Sequence, residues 1–261
     1  MEYITPRPAA TIVIIRNQNR LLEILMLRRS ARVAAAPGAH VFPGGSVDEI
    51  DYEVLRRGLV VGRDVATAAR RLDLADGALA YYCAAVRELF EEAGLLLVRG
   101  AADAAPPPTH VEVTRWRAQV RVGAVSWPDL LDREGLRLAL GELEYLAHWV
   151  TPEGRPRRFD TRFFVARAPA DQPVVVDEGE IVEHVWTSAR GALERVAAGE
   201  WDMLVPTVRT LRSLDAYDTV EGVLEDAATR RVSRIQPIEV ERDGRLVVVV
   251  PGEDDEGRRR G

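Results

Sequence analysis

The sequence predicts an α/β protein, and three observations carry that prediction. Two short apolar runs near the start, residues 9–15 (AATIVII) and 21–27 (LLEILML), flank Asn17-Gln18-Asn19-Arg20 and read as a hairpin. An alanine-rich run, residues 78–93, contains neither Pro nor Gly and stops at Gly94, as a helix with a glycine C-terminal cap does. Beyond it, strand-like segments at 145–150 and 158–166 precede helical ones at 189–198 and 207–214, so both element types recur along one chain.

Taken in order, the first hairpin is apolar enough that at least one strand is expected to be buried on both faces. Arg28-Arg29-Ser30 then leads through small residues to Pro37-Gly38-Ala39-His40-Val41-Phe42-Pro43-Gly44-Gly45. Pro and Gly at that density preclude a regular helix, and the backbone can approach a ligand closely at Gly44 and Gly45. Residues 52–77 are charged and amphipathic and read as one or two short inserted helices. In the helix that follows, Tyr82, Cys83, Val86, Leu89, Phe90 and Ala93 recur at i, i+1, i+4, i+7, i+8 and i+11, forming one apolar face. Residues 95–98 read as a strand and 101–108 (AADAAPPP) as an exposed linker. A helix at 111–122 and a second one capped by Ser126, with Pro128 in its first turn, form a helical insertion at about 109–140. The strands at 145–150 and 158–166 enclose a basic turn, and 177–186 is an acidic loop running into a strand. Ser188 caps the helix at 189–198, and helices at 207–214 and 221–230 follow. Strands at 235–240 and 246–250 flank Asp243-Gly244, a hairpin signal. The expectation is one domain over 1–251 and a charged, disordered tail at 252–261.

Composition narrows the function. With 47% apolar and 29% charged residues, the chain has the make-up of a soluble globular protein. A net charge of −6 argues against a nucleic-acid-binding surface, and no run approaches a membrane span. The single cysteine, Cys83, excludes an internal disulfide and falls on the apolar helix face, where it reads as core. Residues 1–8 lack the apolar core of a signal peptide, so a cytoplasmic protein is expected, as a monomer or homodimer.

The chemistry sits on the central helix. Glu88, Glu91 and Glu92 are related by i, i+3 and i+4, so their carboxylates project from one face and repel. Mg²⁺ or Mn²⁺, each taking oxygen ligands, would neutralise them. The plain alternative is a solvated face in which Arg87 pairs with Glu91. The whole string Arg87-Glu88-Leu89-Phe90-Glu91-Glu92-Ala93-Gly94-Leu95 resembles the second half of the Nudix hydrolase signature at every defined position, and the Pro43-Gly44-Gly45 turn resembles its first half. That resemblance implies an α/β/α sandwich with a mixed sheet. It also implies metal ligation by Glu88, Glu91 and Glu92 with the Gly45 carbonyl, catalytic roles for Arg87, Glu88 and Glu91, and Gly94 as a structural member of the motif.

One departure stands out. The acidic position about six residues after the glycine falls on Asp51 rather than a glutamate, and Arg87 arrives roughly thirty residues late. Asp51 is the candidate partner of Arg87. An interrupted box of this kind resembles the coenzyme A diphosphatase branch of the superfamily, as do LMLRRS, PGAHVFPGG, His148-Trp149-Val150-Thr151-Pro152 and the segment from Arg157 to Phe164. The likeness runs from about residue 9 to 214. The chain ends in Arg258-Arg259-Arg260-Gly261 instead of the peroxisomal address of the branch's mammalian member, which fits the cytoplasmic expectation.

Substrate contacts are expected from Arg28, Arg29, Phe42 and Gly44. Arg157 and Arg158 are either bidentate partners of a diphosphate or a solvated loop. Glu180 and Glu183 are either a further metal ligand or general base, as family members draw from this region, or a charged loop flanking an edge strand. The implied reaction is hydrolysis of coenzyme A or acyl-coenzyme A to 3′,5′-ADP and (acyl-)4′-phosphopantetheine. NADH, ADP-ribose, a nucleotide sugar or a capped dinucleotide are the alternative substrates. A nucleotide-binding module without turnover is the alternative from another class, and the presence of all three box glutamates argues against it.

Overall fold

The first apolar run forms β1 (Arg7–Gln18), which turns through Asn19 and Arg20 into β2 (Leu21–Arg29). Both turn residues have positive φ, 49° and 65°, the conformation that lets a two-residue connection follow the strand twist. The computed structural model describes residues 4–100, 108–176, 179–242 and 245–252. Next come β3 (His40–Val41), β4 (Gly44–Ser46), α1 (Glu49–Arg56), β5 (Val60–Val61) and α2 (Val65–Leu72). The long helix α3 (Ala78–Ala93) precedes β6 (Val98–Gly100), α4 (His110–Arg121), α5 (Trp127–Arg133) and β7 (Leu136–Ala139). β8 (Glu144–Val150), β9 (Phe159–Arg167), β10 (Ile181–Thr187), α6 (Ala189–Ala197), α7 (Val205–Leu214) and α8 (Val220–Thr229) complete the core. β11 (Arg234–Ile235), β12 (Ile238–Arg242) and β13 (Arg245–Val249) end it.

The main sheet has the order β10-β2-β1-β9-β8-β11, with β3 beside β2 and β4 beside β1. β1 runs parallel to β9 and β8 parallel to β11, whereas the other pairs are antiparallel, so the sheet is mixed. Alternation along its central strands builds two cores. Ile12, Ile14, Leu25 and Leu27 pack with Tyr82, Val86, Leu89 and Phe90 of α3. Val13, Ile15, Ile24 and Met26 pack on the other side with Ala189, Leu211 and Val223 of α6, α7 and α8. Both faces are covered, which is why these strands are apolar at nearly every position. The result is the expected α/β/α sandwich. Cys83 lies fully inside the α3 core. No helix among the described residues is long and apolar enough to cross a membrane.

Four expectations need correction. Residues 95–97 are not strand: Leu95, Leu96 and Leu97 are buried core, and the Leu96 peptide is held at both ends by the Gln172 side chain, at 2.8 and 3.1 Å. Residues 136–139 are not helical but form β7, which joins β5 and β6 in a separate three-stranded sheet. That sheet ties the second insertion to the first. The segment 235–240 is two strands, because Pro237 has no N–H to continue a ladder: Ile235 pairs with β8 and β12 pairs with β13. Finally, α7 begins at Val205, since Pro206 fits the first helical turn. The linker at 101–107, the Asp177-Glu178 start of the acidic loop, the Asp243-Gly244 turn and the tail from 253 lie outside the described residues.

Candidate active site

β4 lies along β1, with Gly44 opposite Thr11 and Gly45 opposite Ala10, and α3 crosses directly over it. Neither glycine is required by φ; both are required by space. A Cβ at Gly44 would meet Ala10 O at 2.6 Å and Thr11 Oγ1 at 2.7 Å, and one at Gly45 would collide with the Glu88 carboxylate. The Gly44 N–H donates to Glu92 Oε2 at 3.0 Å, so the last turn of α3 is pinned to the glycine strand through a buried carboxylate.

Arg87 is 4% exposed and joins three segments. Its guanidinium forks onto Asp51, Nε to Oδ1 and Nη2 to Oδ2, both 3.0 Å, and Nη2 also donates to Ser46 O at 2.8 Å. The insertion explains how a displaced aspartate reaches it. Asp51 stands at the third position of α1, where it also accepts from the Asp48 N–H at 2.9 Å in a capping box, and the short helix delivers it beneath α3 with no exposed surface.

The remaining edge of Arg87 faces the acidic set, with Nη1 at 2.7 Å from Glu88 and 3.6 Å from Glu91. Glu88 and Glu91 therefore turn toward the arginine, Glu91 with 41% of its side chain exposed, while Glu92 turns inward to Gly44. Helical spacing places the three carboxylates on one face, and the structure adds the partners that their side chains turn to. Among the described residues, no three acidic, His or Cys side chains are gathered as a closed metal cage. The electrostatic stress is nonetheless visible. Burial pushes the Glu88 carboxyl up to about 7, against the pull of Arg87 and with the push of Glu91. Burial and then Glu88 push Glu92 up to about 8, against the Gly44 N–H. Glu91 is raised as well, chiefly by burial.

These groups edge an open cleft of about 1480 Å³ at the end of the sheet where β1 and β9 begin. Of the residues the sequence singles out, Arg29, Phe42, Gly44, Gly45, Glu180 and Arg157 line it together with Arg87 and the three glutamates. Arg157 is exposed and has no hydrogen-bond or ion-pair partner among the described residues. Three candidates are placed elsewhere. Arg28 and Glu183 pair with each other at 2.6 Å across neighbouring strands, outside the cleft. Arg158 is buried, donating to Thr151 O and to Ile4 O, the latter at 2.7 Å, and so anchors the basic turn instead of presenting a cation.

Strand alternation divides the downstream motif. Trp149, Thr161 and Phe163 line the cleft. The intervening His148, Asp160 and Arg162 form a polar cluster, with His148 Nε2 2.7 Å from Asp160 and Arg162 bonded to both and lying over the Tyr81 ring. A period-2 reading of 148–163 could have separated the two sets. Arg117 and Arg121 of α4 also line the cleft; nothing in their local sequence sets them apart from Arg115, the other arginine of that helix.

Residues 53–214 match the family described as NUDT19 Nudix domain. The chain is 27% identical to a Gallus gallus protein named acyl-coenzyme A diphosphatase NUDT19, an alignment covering 89% of this chain and 72% of the relative. It is 28% identical to the Homo sapiens protein of the same name, over 88% and 71%. A crystal structure of a NUDIX hydrolase from Alicyclobacillus acidocaldarius superposes with a TM-score of 0.67 at 30% identity, covering 85% of this chain and 96% of that one. The family match spans more than half of the chain and takes in all of α3, so the chain belongs to the NUDT19 Nudix domain family and is a Nudix diphosphohydrolase.

Proposed function

We propose that this enzyme splits the diphosphate of coenzyme A or acyl-coenzyme A, releasing 3′,5′-ADP and (acyl-)4′-phosphopantetheine, with a divalent cation as cofactor. The observation that carries the hydrolytic reading is the set of Glu88, Glu91 and Glu92 fronting a cleft that also presents arginines. The names of the avian and human relatives support the coenzyme A part. We further read the chain as one catalytic domain with two insertions, acting in the cytoplasm.

The donor set fits a hard cation. Its donors are all oxygens, the Glu88 and Glu92 carboxyls both have raised pKa values, and Glu88 closes on the backbone of Gly45. Glu88, Glu91 and Glu92 with the Gly45 carbonyl would hold Mg²⁺ or Mn²⁺, and Glu180 and Asp48 are acidic residues of the same cleft outside α3. Bound there, the cation supplies Lewis-acid neutralisation of the diphosphate charge. The chain's own residues do the rest. Arg157 offers a phosphate at the cleft rim a guanidinium that is unpaired among the described residues, and Arg29, ion-paired with Glu180 at 3.7 Å, brings a second cation from β2. Arg87 holds Glu88 in place and is itself fixed by Asp51. Glu88 accepts a proton from the attacking water as its oxygen bonds to phosphorus, and the anhydride P–O bond breaks to leave a second phosphate.

Product analysis by mass spectrometry tests the assignment, using coenzyme A, octanoyl-coenzyme A, NADH and ADP-ribose with Mg²⁺, Mn²⁺ or EDTA. Release of 3′,5′-ADP that needs the cation, well above turnover of NADH and ADP-ribose, is the expected result. Faster cleavage of NADH or ADP-ribose would overturn the substrate, and turnover undiminished by EDTA would overturn the cofactor.

A pH dependence follows from the raised carboxyls. For Glu88 and Glu92 the folded pKa lies above the unfolded value near 4.5, so the unfolded chain releases its protons first as pH rises. Their stabilising contribution is complete below the unfolded value and is lost as pH passes about 7 and 8. In EDTA the melting temperature is expected to fall between pH 5 and 8.5. Mn²⁺ should restore it at the upper end, and calorimetry in two buffers of different ionisation enthalpy should show proton release on binding at pH 7. A melting temperature in EDTA that rises over that window would refute the assignment of those shifts.

A further inference from the structure

The last turn of α3 carries Glu91 and Glu92, and its backbone is held in an unusual way. A helix leaves its last four carbonyls without intrahelical partners. Here all four have one. Phe90 O accepts from the Gly94 N–H at 3.1 Å and Ala93 O from the Val175 N–H at 2.9 Å. The two between them, Glu91 O and Glu92 O, accept from a single side chain, Arg117, through Nε at 2.7 Å and Nη2 at 3.3 Å. Its third nitrogen, Nη1, donates to Val175 O.

Arg117 comes from α4, in the second insertion, and is 9% exposed. α4 is a firm base for it: Thr109 and Glu112 close a capping box at its start, and Val113 and Trp116 are buried in the α3 core. The opposite wall makes room. A Cβ at Gly94 would approach Val175 O to 3.2 Å and Arg117 Nη1 to 3.4 Å, so Gly94 is needed both for its φ of 65° and for the space beside the guanidinium. The segment Arg117 grips at Val175 is the one that leads on to Glu180 in the cleft.

We infer that Arg117 is a positioning residue for the acidic site: by holding the carbonyls of Glu91 and Glu92, and of Val175, it sets where those two carboxylates stand relative to the segment carrying Glu180. The inference rests on reading Glu91 and Glu92 as cation ligands. Without the guanidinium, two carbonyls at the end of α3, that of Glu92 buried and that of Glu91 partly so, lose their donors, and the turn reorganises to find others. Its positive charge also interacts favourably with the negative end of the helix dipole, an effect that Met cannot replace.

The test compares wild type with Arg117→Met, Arg117→Lys and, as a control on the exposed face of the same helix, Arg115→Met. Mn²⁺ affinity is read without substrate, from the EPR signal of free Mn²⁺, and kcat and KM with coenzyme A. Because outer residues that orient metal ligands change affinity by about 10- to 100-fold, Arg117→Met is expected to weaken Mn²⁺ binding at least about tenfold. It should lower kcat by a similar factor, with KM within about twofold. Lys keeps the charge but cannot span two carbonyls in the same fork, so it should be intermediate; Arg115→Met should match wild type. A folded Arg117→Met protein with wild-type Mn²⁺ affinity and kcat would overturn the inference. If Arg117→Met does not fold, Arg117→Lys decides alone, and equality with wild type in both readouts overturns it. A wild-type protein that binds no Mn²⁺ and cleaves no diphosphate would defeat the functional reading itself, and the inference with it.

Discussion

Glu92→Gln is expected to reduce kcat by on the order of a thousandfold while leaving the EDTA-treated protein at least as stable as wild type. The two halves of that expectation come from the same geometry. Glu92 is buried, accepts one hydrogen bond from the Gly44 N–H, and is pushed up to about 8 by burial and by Glu88. A glutamine amide keeps the shape, and its oxygen can still accept from Gly44, while the charge that repels Glu88 is gone. Relief of repulsion favours the fold in chelator. The same change removes a negative ligand from the proposed cation site, so the rise in melting temperature that Mn²⁺ gives wild type should shrink or disappear. Steady-state kinetics and thermal melts with and without Mn²⁺ measure both. Near-wild-type turnover would sink the assignment of Glu92 as a ligand. A large loss of stability in EDTA would instead show that the carboxylate acts as a structural acceptor, with its charge required.

How far the site was legible depends on whether its geometry is local. The glycine turn and the Arg-Glu string are dense, and their spacing on a helix and a strand leaves few ways to meet. Asp51 could be found by counting from Gly45, although Arg87 lies 36 residues beyond it. What helical spacing cannot supply is the rotamer. It places Cβ atoms on a face, but Arg87 and the Gly44 N–H then compete for the carboxylates and draw them apart. Likewise Arg28 and Glu183 read as two site residues because their mutual pairing, 155 residues apart in sequence, is set only when β10 docks on β2. Arg157 and Arg158 are adjacent, yet one turns to the cleft and the other to backbone carbonyls. Arg117 was invisible for a related reason. An arginine on an amphipathic helix is ordinary until the helix packs beside another helix's last carbonyls.

The Arg87–Asp51 pair allows the sharpest separation of stability from function. Arg87→Met should cost about 3–5 kcal/mol, because it strands a carboxylate that has no exposed surface. For a chain of this size that corresponds to a fall of roughly 6–20 °C in melting temperature. Burial already pushes Asp51 above the ordinary carboxylate range, with Arg87 the main force pulling it back, so the variant must protonate Asp51 or release α1. The companion change Asp51→Leu removes that stranded charge. Asp51→Leu with Arg87→Met should therefore recover part of the lost stability, as apolar replacements of buried ion pairs do. It should not recover turnover. Arg87 also donates to Ser46 O and to Glu88, and those contacts fix the glycine strand against the acidic turn. Thermal melts and kcat for both single variants and the double variant decide the matter. If the double variant regains activity along with stability, Arg87 serves only to neutralise Asp51. If stability returns alone, the guanidinium is needed where it stands, between the strand that binds and the helix that carries the charge.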